Sequence, residues 1–273
     1  MILFPNAKIN LGLNIVSKRD DGYHNIESVF YPIPIYDVLE VTPSANNIFF
    51  ELEVIGMEND GKQNLVEKAY RAIAQKYSLP NISVVLKKNI PFAAGLGGGS
   101  ADAAFMLNAL NELYSLNIDI KELHKVAASI GADCPFFLYN TPMYAEGIGT
   151  DFSKVDLNLK GKYLVLIKPD IAISTAEAYS GVVPQKSEKD IRDIIKLPVS
   201  EWKYFLKNDF ENSLFKKHTR LKEIKEILYS NGATYASMSG SGSSIFGIFD
   251  NTPTKERIIN MINKKEKIYF KIL

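Results

Sequence analysis

The sequence predicts an α+β protein built in two parts, and three observations carry that expectation. Residues 7–16 (AKINLGLNIV) alternate between apolar and polar, as one strand of a half-covered sheet does. The stretch 82–113 runs strand, glycine loop, helix. The second half alternates short strands with helices in two strand–helix–strand arcs, a pattern that points to an antiparallel sheet layered with helices.

Taken in order, the first strand puts Ile9, Leu11, Leu13 and Ile15 on one face and Lys8, Asn10, Gly12 and Asn14 on the other. The polar face reads either as a solvated sheet face, which periodicity alone favours, or as a substrate floor carrying a cation and amides. Asp21-Gly22 is a hairpin turn signal, and Tyr23 and His24 fall just past it. The turn leads into a strand-rich stretch over 26–41, where Pro32 and Pro34 mark an edge or a bulge. Residues 48–55 read as a strand, and 64–77 as an amphipathic helix with Asn64 as its N-cap. A helix over 120–130 ends at Gly131. Residues 144–149 form a hairpin and 150–158 a connector, placing a domain boundary near residue 155. Beyond it come strands at 162–168, 234–238, 244–249 and 267–272, and helices near 175–179, 202–205, 221–229 and 253–264.

The glycine loop is the centre of the chain. In PFAAGLGGGSADAA, Gly95, Gly97, Gly98 and Gly99 crowd between the β-branched run 82–86 and a helix that Ser100 opens. Glycines let backbone N–H groups approach a ligand closely, and a helix N-terminus adds unpaired donors and partial positive charge. Together they make a phosphate site. The alternative is a tight turn that packs a helix against a strand. No lysine follows as in a Walker A loop, and the dinucleotide fingerprint fails at Ser100. Asp119 and Glu122 stand near the distance of that fingerprint's acidic residue, but in a loop and new helix.

Two more stretches carry chemistry. In GADCPFF, Asp133 reads as a helix N-cap or as a partly buried carboxylate with tunable proton affinity, and Cys134 as a small buried hydrophobe. The run SGSGSS at 239–244 reads as a flexible hairpin loop, or as a second loop closing over the same ligand.

Composition narrows the field. At 273 residues the chain suits one large domain or two modest ones. Thirty-two basic against 31 acidic residues leave a formal charge of +1, without the footprint of a nucleic-acid or anionic-membrane binder. One cysteine excludes an intramolecular disulfide. The start MILFPNAKINLGLN lacks a basic region before an apolar core, and no run approaches a membrane span, so a cytoplasmic location is expected.

Several segments together resemble the GHMP kinase superfamily: AKINLGLNI, DGYHNIESVF, PFAAGLGGGSADAA, GADCPFF, AEGIGT, ISTAEAY and SMSGSGSSIFGIF, spread over residues 7–249. The resemblance implies an N-terminal S5-like ATP-binding domain over 1–155 and a C-terminal ferredoxin-like α/β sandwich over 156–273. It implies ATP-dependent phosphorylation of the 2-hydroxyl of 4-diphosphocytidyl-2-C-methyl-D-erythritol in non-mevalonate isoprenoid synthesis. The family's catalytic lysine and aspartate fall on Lys8 and Asp133; Lys8 is expected beside Asp133, holding it ionised and orienting the hydroxyl. Gly95, Leu96, Gly97, Gly98, Gly99 and Ser100 are expected to hold the ATP phosphates, with Asn64 and Lys88 lining the adenine pocket. Asn10, Tyr23, His24, Thr175 and Tyr179 match substrate contacts, and Gly240, Ser241 and Gly242 the supporting third loop. Magnesium is expected from the reaction class, with Ser100 the one candidate ligand; Ala101 stands where the family often has a second serine. A monomer or weak homodimer is expected, with no nucleic-acid or membrane partner. The competing functions are a kinase for another small alcohol such as homoserine, a nicotinamide-dependent oxidoreductase, and a non-catalytic nucleotide-binding module.

Overall fold

The computed structural model describes residues 1–46, 48–56 and 63–273. In chain order the strands are β1 (Ile2–Leu3), β2 (Asn6–Lys18), β3 (His24–Tyr36), β4 (Val38–Pro43), β5 (Phe50–Ile55), β6 (Ile82–Lys87), β7 (Met143–Glu146), β8 (Asp151–Lys154), β9 (Tyr163–Lys168), β10 (Tyr235–Met238), β11 (Ile245–Phe249) and β12 (Lys267–Ile272). The helices are α1 (Leu65–Ala74), α2 (Gly98–Leu113), α3 (Ile120–Ile130), α4 (Cys134–Tyr139), α5 (Thr175–Ser180), α6 (Ile191–Ile194), α7 (Val199–Phe205), α8 (Glu211–Lys217), α9 (Thr219–Ser230) and α10 (Lys255–Ile259). They fall into two compact units that interleave along the chain: 1–7, 35–92 and 97–141, then 8–34, 93–96 and 142–273. None of the described helices is long and apolar enough to cross a membrane.

The first unit is a helix layer on a sheet of order β1-β4-β6-β5. β4 runs antiparallel to β6, from Val38 opposite Lys87 to Pro43 opposite Ile82, and β5 runs parallel to β6. Leu39, Val41, Val84 and Leu86 bury against Val66, Tyr70 and Ile73 of α1, Met106 and Leu107 of α2, and Leu123 of α3. Local signals set the helix starts. The Asn64 side chain accepts from Val66 N, and the Asp119 side chain accepts from Lys121 N and Glu122 N. Each such cap contributes about 1 kcal/mol. α2 starts at Gly98, two residues before Ser100, because Gly97 takes the N-cap position.

The second unit carries two sheets, β2-β3-β7-β8 and β10-β11-β9-β12. The latter is antiparallel throughout, as the sequence led us to expect. Val165, Ile167, Ala236, Met238 and Ile245 of its strands bury with Leu221, Ile224 and Leu228 of α9. The Asp-Gly turn forms as read: Arg19 N donates to Tyr23 O at 2.8 Å, and Gly22 N donates to Arg19 O at 3.2 Å. Pro32 and Pro34 lie beyond the part of β3 that pairs with β7, Ser28–Phe30, so they take no donor from that ladder.

Four expectations are corrected. The polar face of β2 is not solvated; Lys8, Asn10 and Asn14 are buried. The cause is what packs on that face: a Cβ at Gly12 would lie 2.6 Å from Leu206 Cδ1 and 3.3 Å from Ile191 Cδ1, and one at Gly240 would lie 3.4 Å from Asn10 Oδ1. The strand-rich stretch 26–41 is two strands, broken at Asp37. The long helix read over 253–264 is helical only over Lys255–Ile259. The loop 239–244 is not a flexible hairpin tip: Ser239, Ser243 and Ser244 are fully buried, and Asn208 Nδ2 donates to Met238 O at 2.9 Å and Gly240 O at 2.8 Å.

Candidate active site

In the first unit the expected residues gather around the start of α2. β6 ends at Lys87, and the chain returns at Gly98. No side chain caps this helix and its first turn carries no acidic residue, so its leading N–H groups point outward without a side-chain acceptor. The glycines differ in what they do. A Cβ on Gly98 would come within 2.9 Å of Ile90 Cγ2 and 3.5 Å of Lys88 Nζ, so Gly98 is a packing glycine. Gly99 is exposed, and a Cβ there would meet only Leu65 Cδ1 at 3.6 Å. Packing does not require glycine at 99, whereas at 98 it does.

Beneath this turn lies a buried charge cluster that motif reading missed. Lys88 Nζ donates to Asp37 Oδ2 and, at 2.6 Å, to Asp102 Oδ2. Asp37 Oδ1 also accepts from Asn89 N at 2.6 Å and Ile90 N at 2.8 Å. The cluster ties the β3–β4 break and the end of β6 to α2. Its sequence signal was faint: one acid in the apolar run IYDVL and one in the apolar helix ADAAFML. Burial pushes the Asp102 carboxyl up to about 7, against the pull of Lys88, and Asp37 adds to the rise. Burial would lower the Lys88 ammonium, but the two carboxylates outweigh it and raise it. Asp102 Oδ1 has no hydrogen-bond partner.

A stability effect follows. Asp102 has an ordinary value of 3.8 in the unfolded chain and about 7 when folded, so between those pH values the folded state keeps a proton that the unfolded chain has released. Its contribution is therefore present below the unfolded value and lost as pH rises toward 7. Asp102→Asn, which is permanently neutral, gains melting temperature relative to the parent as pH rises from 4 to 7, with the gap level above 7. Thermal melts across this range test it; parallel curves would show that Asp102 is ionised throughout.

Asp133 occupies the N-cap position of α4, with helical φ −80° and ψ −14°, and makes no capping hydrogen bond. The capping reading is therefore set aside. Next to it, Cys134 is fully buried, and burial pushes its thiol up to about 12, so it is a packing residue and not a nucleophile. Asn64 Oδ1 is engaged in capping α1. Ser100 is half-buried in the first turn of α2.

The second unit holds the other expected residues and brings several of them together. Lys8 N donates to Leu96 O at 3.0 Å. Ser239 Oγ donates to Gly95 O at 2.8 Å, and Ser244 N donates to Ala94 O at 3.3 Å. A Cβ on Gly240 would lie 3.2 Å from Gly95 O and 3.4 Å from Asn10 Oδ1. Lys8, Asn10, Gly95, Leu96 and the 239–242 loop therefore form one cluster. A second cluster is aromatic: His24 stacks on Tyr179 with centroids 4.7 Å apart, beside Tyr23, which is 62% exposed at the hairpin. Thr175 is exposed at the start of α5. Ser28 and Asn208, neither marked by a motif, hold Asn10 and the 239–242 loop respectively.

Comparison with known proteins gives the family. The family model of the GHMP kinases N terminal domain matches residues 64–141, and that of the GHMP kinases C terminal matches 189–268. A relative from Parabacteroides distasonis named 4-diphosphocytidyl-2-C-methyl-D-erythritol kinase is 55% identical over 250 residues, 92% of each chain. The chain belongs to that family of GHMP kinases. A Bacteroides fragilis relative of the same name is 53% identical, covering 96% of this chain and 95% of its own. A crystal structure of 4-(cytidine 5'-diphospho)-2C-methyl-D-erythritol kinase superposes with TM-score 0.85 at 28% identity, over 99% of this chain and 98% of that one. Methanococcus jannaschii mevalonate kinase, at TM-score 0.73 and 15% identity over 100% and 98%, shares the fold. The chain is thus an ATP-using kinase with the two-domain GHMP fold.

Proposed function

We propose that the chain transfers the γ-phosphoryl group of ATP to the 2-hydroxyl of 4-diphosphocytidyl-2-C-methyl-D-erythritol, giving the 2-phosphate and ADP in non-mevalonate isoprenoid precursor synthesis. The observation that carries this reading is 55% identity over 92% of both chains to a relative of that name. Phosphoryl transfer asks for positioning, charge stabilisation and an acceptor for the hydroxyl proton. In this reading Asp133 takes that proton, and the Lys8 ammonium orients the hydroxyl and offsets developing charge. The backbone amides of Gly95, Leu96, Gly97, Gly98, Gly99 and Ser100, with the α2 dipole, hold the ATP phosphates. The acid-free first turn of α2 and the open space at Gly99 support this.

Asn64 and Lys88 line the adenine side; with its ammonium engaged by two carboxylates, Lys88 serves there as a wall. Tyr23 stacks on cytosine, with Asn10, His24, Thr175 and Tyr179 completing the substrate contacts and Gly240, Ser241 and Gly242 supporting them. The division into an ATP-binding domain over 1–155 and a C-terminal domain over 156–273 belongs to the same reading, supported by the separate N- and C-terminal family matches. Magnesium accompanies ATP in this chemistry. Among the described residues no three His, Cys, Asp or Glu side chains form a metal-holding group. Ser100 would hold the ion, its hydroxyl supplying one oxygen ligand. The enzyme acts in the cytoplasm as a monomer or weak homodimer, without nucleic-acid or membrane partners.

Phosphorus NMR of the purified protein with ATP, magnesium and 4-diphosphocytidyl-2-C-methyl-D-erythritol should show a new phosphomonoester signal matched by ADP. Silence with this substrate and turnover of another small alcohol would overturn the assignment. Tyr23→Ala should raise the KM for this substrate about tenfold, the loss expected of one aromatic stacking contact, while the KM for ATP stays put. An unchanged substrate KM would remove Tyr23 from the base-binding role.

A further inference from the structure

On the polar face of β2, Lys8 Nζ donates to Asn10 Oδ1 at 2.6 Å, and Asn10 Nδ2 donates to Ser28 Oγ at 2.9 Å. Ser28 Oγ in turn donates to Gly12 O at 2.6 Å. All three side chains are buried, at 3%, 1% and 0% exposure for Lys8, Asn10 and Ser28. The Phe30 ring lies under the same ammonium, 4.4 Å from its centroid.

A carboxamide has two orientations that exchange its oxygen and nitrogen. With the oxygen toward Lys8 the ammonium gains an acceptor; with the nitrogen there, two donors face each other in a buried place. Nothing in Asn10 itself selects between them. Ser28 does, because a hydroxyl has one proton to give. The Gly12 carbonyl can only accept, so it claims that proton, and the Ser28 lone pairs are left to face Asn10. Only the Nδ2 end can meet them. Gly12, whose carbonyl accepts that proton, has φ +68°, a kink within the strand. A side chain at 12 would also lie 2.6 Å from Leu206 Cδ1.

We infer that the Gly12 carbonyl and Ser28 set the orientation of the Asn10 amide and thereby hold the Lys8 ammonium for phosphoryl transfer, with Ser28 as a positioning residue. The inference rests on the proposed role of Lys8, and its test separates the two.

The first readout needs no substrate. In the full-length protein, the Asn10 side-chain amide, identified by its loss in Asn10→Asp, should give one exchange-protected pair of NMR signals. In Ser28→Ala those signals should broaden, double or lose protection. Unchanged signals in Ser28→Ala would overturn the relay whatever the enzyme's substrate. The second readout is a kinetic cycle with ATP and 4-diphosphocytidyl-2-C-methyl-D-erythritol. Ser28→Ala should lower kcat by about tenfold or more with the KM for ATP within about threefold, the signature of a contact used in the reaction rather than in binding. In an Asn10→Asp background the same change should cost less than about twofold, because a carboxylate has no wrong orientation. Equal losses in both backgrounds would make Ser28 merely structural and overturn the inference. Absence of turnover in the unmodified protein would count against the proposed function alone, leaving the NMR result to decide the relay.

Discussion

Asp133→Asn lowers kcat by about a thousandfold, within the range expected for loss of a positioned general base, and leaves the KM for ATP within about threefold. Asparagine keeps the shape of the side chain but cannot take a proton at the pH of the reaction. The side chain stands at the N-cap position of α4 without capping it, so its loss should not cost the helix a cap. ADP formation under saturating ATP, followed beside a thermal melt to confirm folding, measures the effect. A variant that retains more than about a tenth of parental turnover would show that another group, or water, accepts the proton. The neighbouring thiol is no substitute, since burial pushes the Cys134 thiol up to about 12 and keeps it protonated.

A matched pair of glycine replacements separates fold from ligand in the loop. An alanine methyl at Gly95 would lie 2.0 Å from Ser239 O and 3.2 Å from Gly242 N. Both are backbone atoms, so no side chain can swing aside. Gly95 also has φ +72°, which disfavours any residue with a Cβ by roughly 1–2 kcal/mol before the overlap is counted. The 239–242 loop must separate from the glycine loop, and Leu96, whose carbonyl accepts from Lys8 N, moves with it. Gly95→Ala should therefore lose about 3 kcal/mol or more of stability, roughly 8 °C of melting temperature in a chain of this size, with activity falling in step. Gly99→Ala should do the reverse. Its methyl finds only an ordinary contact at 3.6 Å, and alanine in a helix is worth up to about 1 kcal/mol over glycine, so the melt holds or rises. Its ATP affinity should fall about tenfold if phosphate lies against that amide. Tight ATP binding in Gly99→Ala would withdraw the phosphate role from that residue, and an unshifted melt in Gly95→Ala would mean the two loops are not locked as described.

The sequence by itself determined the family and the elements whose signals are local. α3 is found over Ile120–Ile130, ended by Gly131, and β12 over Lys267–Ile272, a short run rich in apolar and aromatic residues. Motifs compressed into a few residues, the glycine loop and the Asp-Gly turn, were legible for the same reason: their geometry depends on neighbours in the chain. The helices α6 and α8, of four and seven residues, went unread. Tertiary structure alone decided the rest. Whether the polar face of β2 meets water depends on residues far along the chain, and Ile191, Leu206 and Gly240 lie against it. Whether a glycine is demanded by packing or left open depends on what lies opposite: for Gly95 a carbonyl at position 239, for Gly99 nothing closer than ordinary contact. The partners of Lys88, which are Asp37 and Asp102, and the Ser28 hydroxyl beside Asn10 belong to the same class. Periodicity records which side of a strand a residue faces; only the folded chain decides what stands there to receive its proton or its charge.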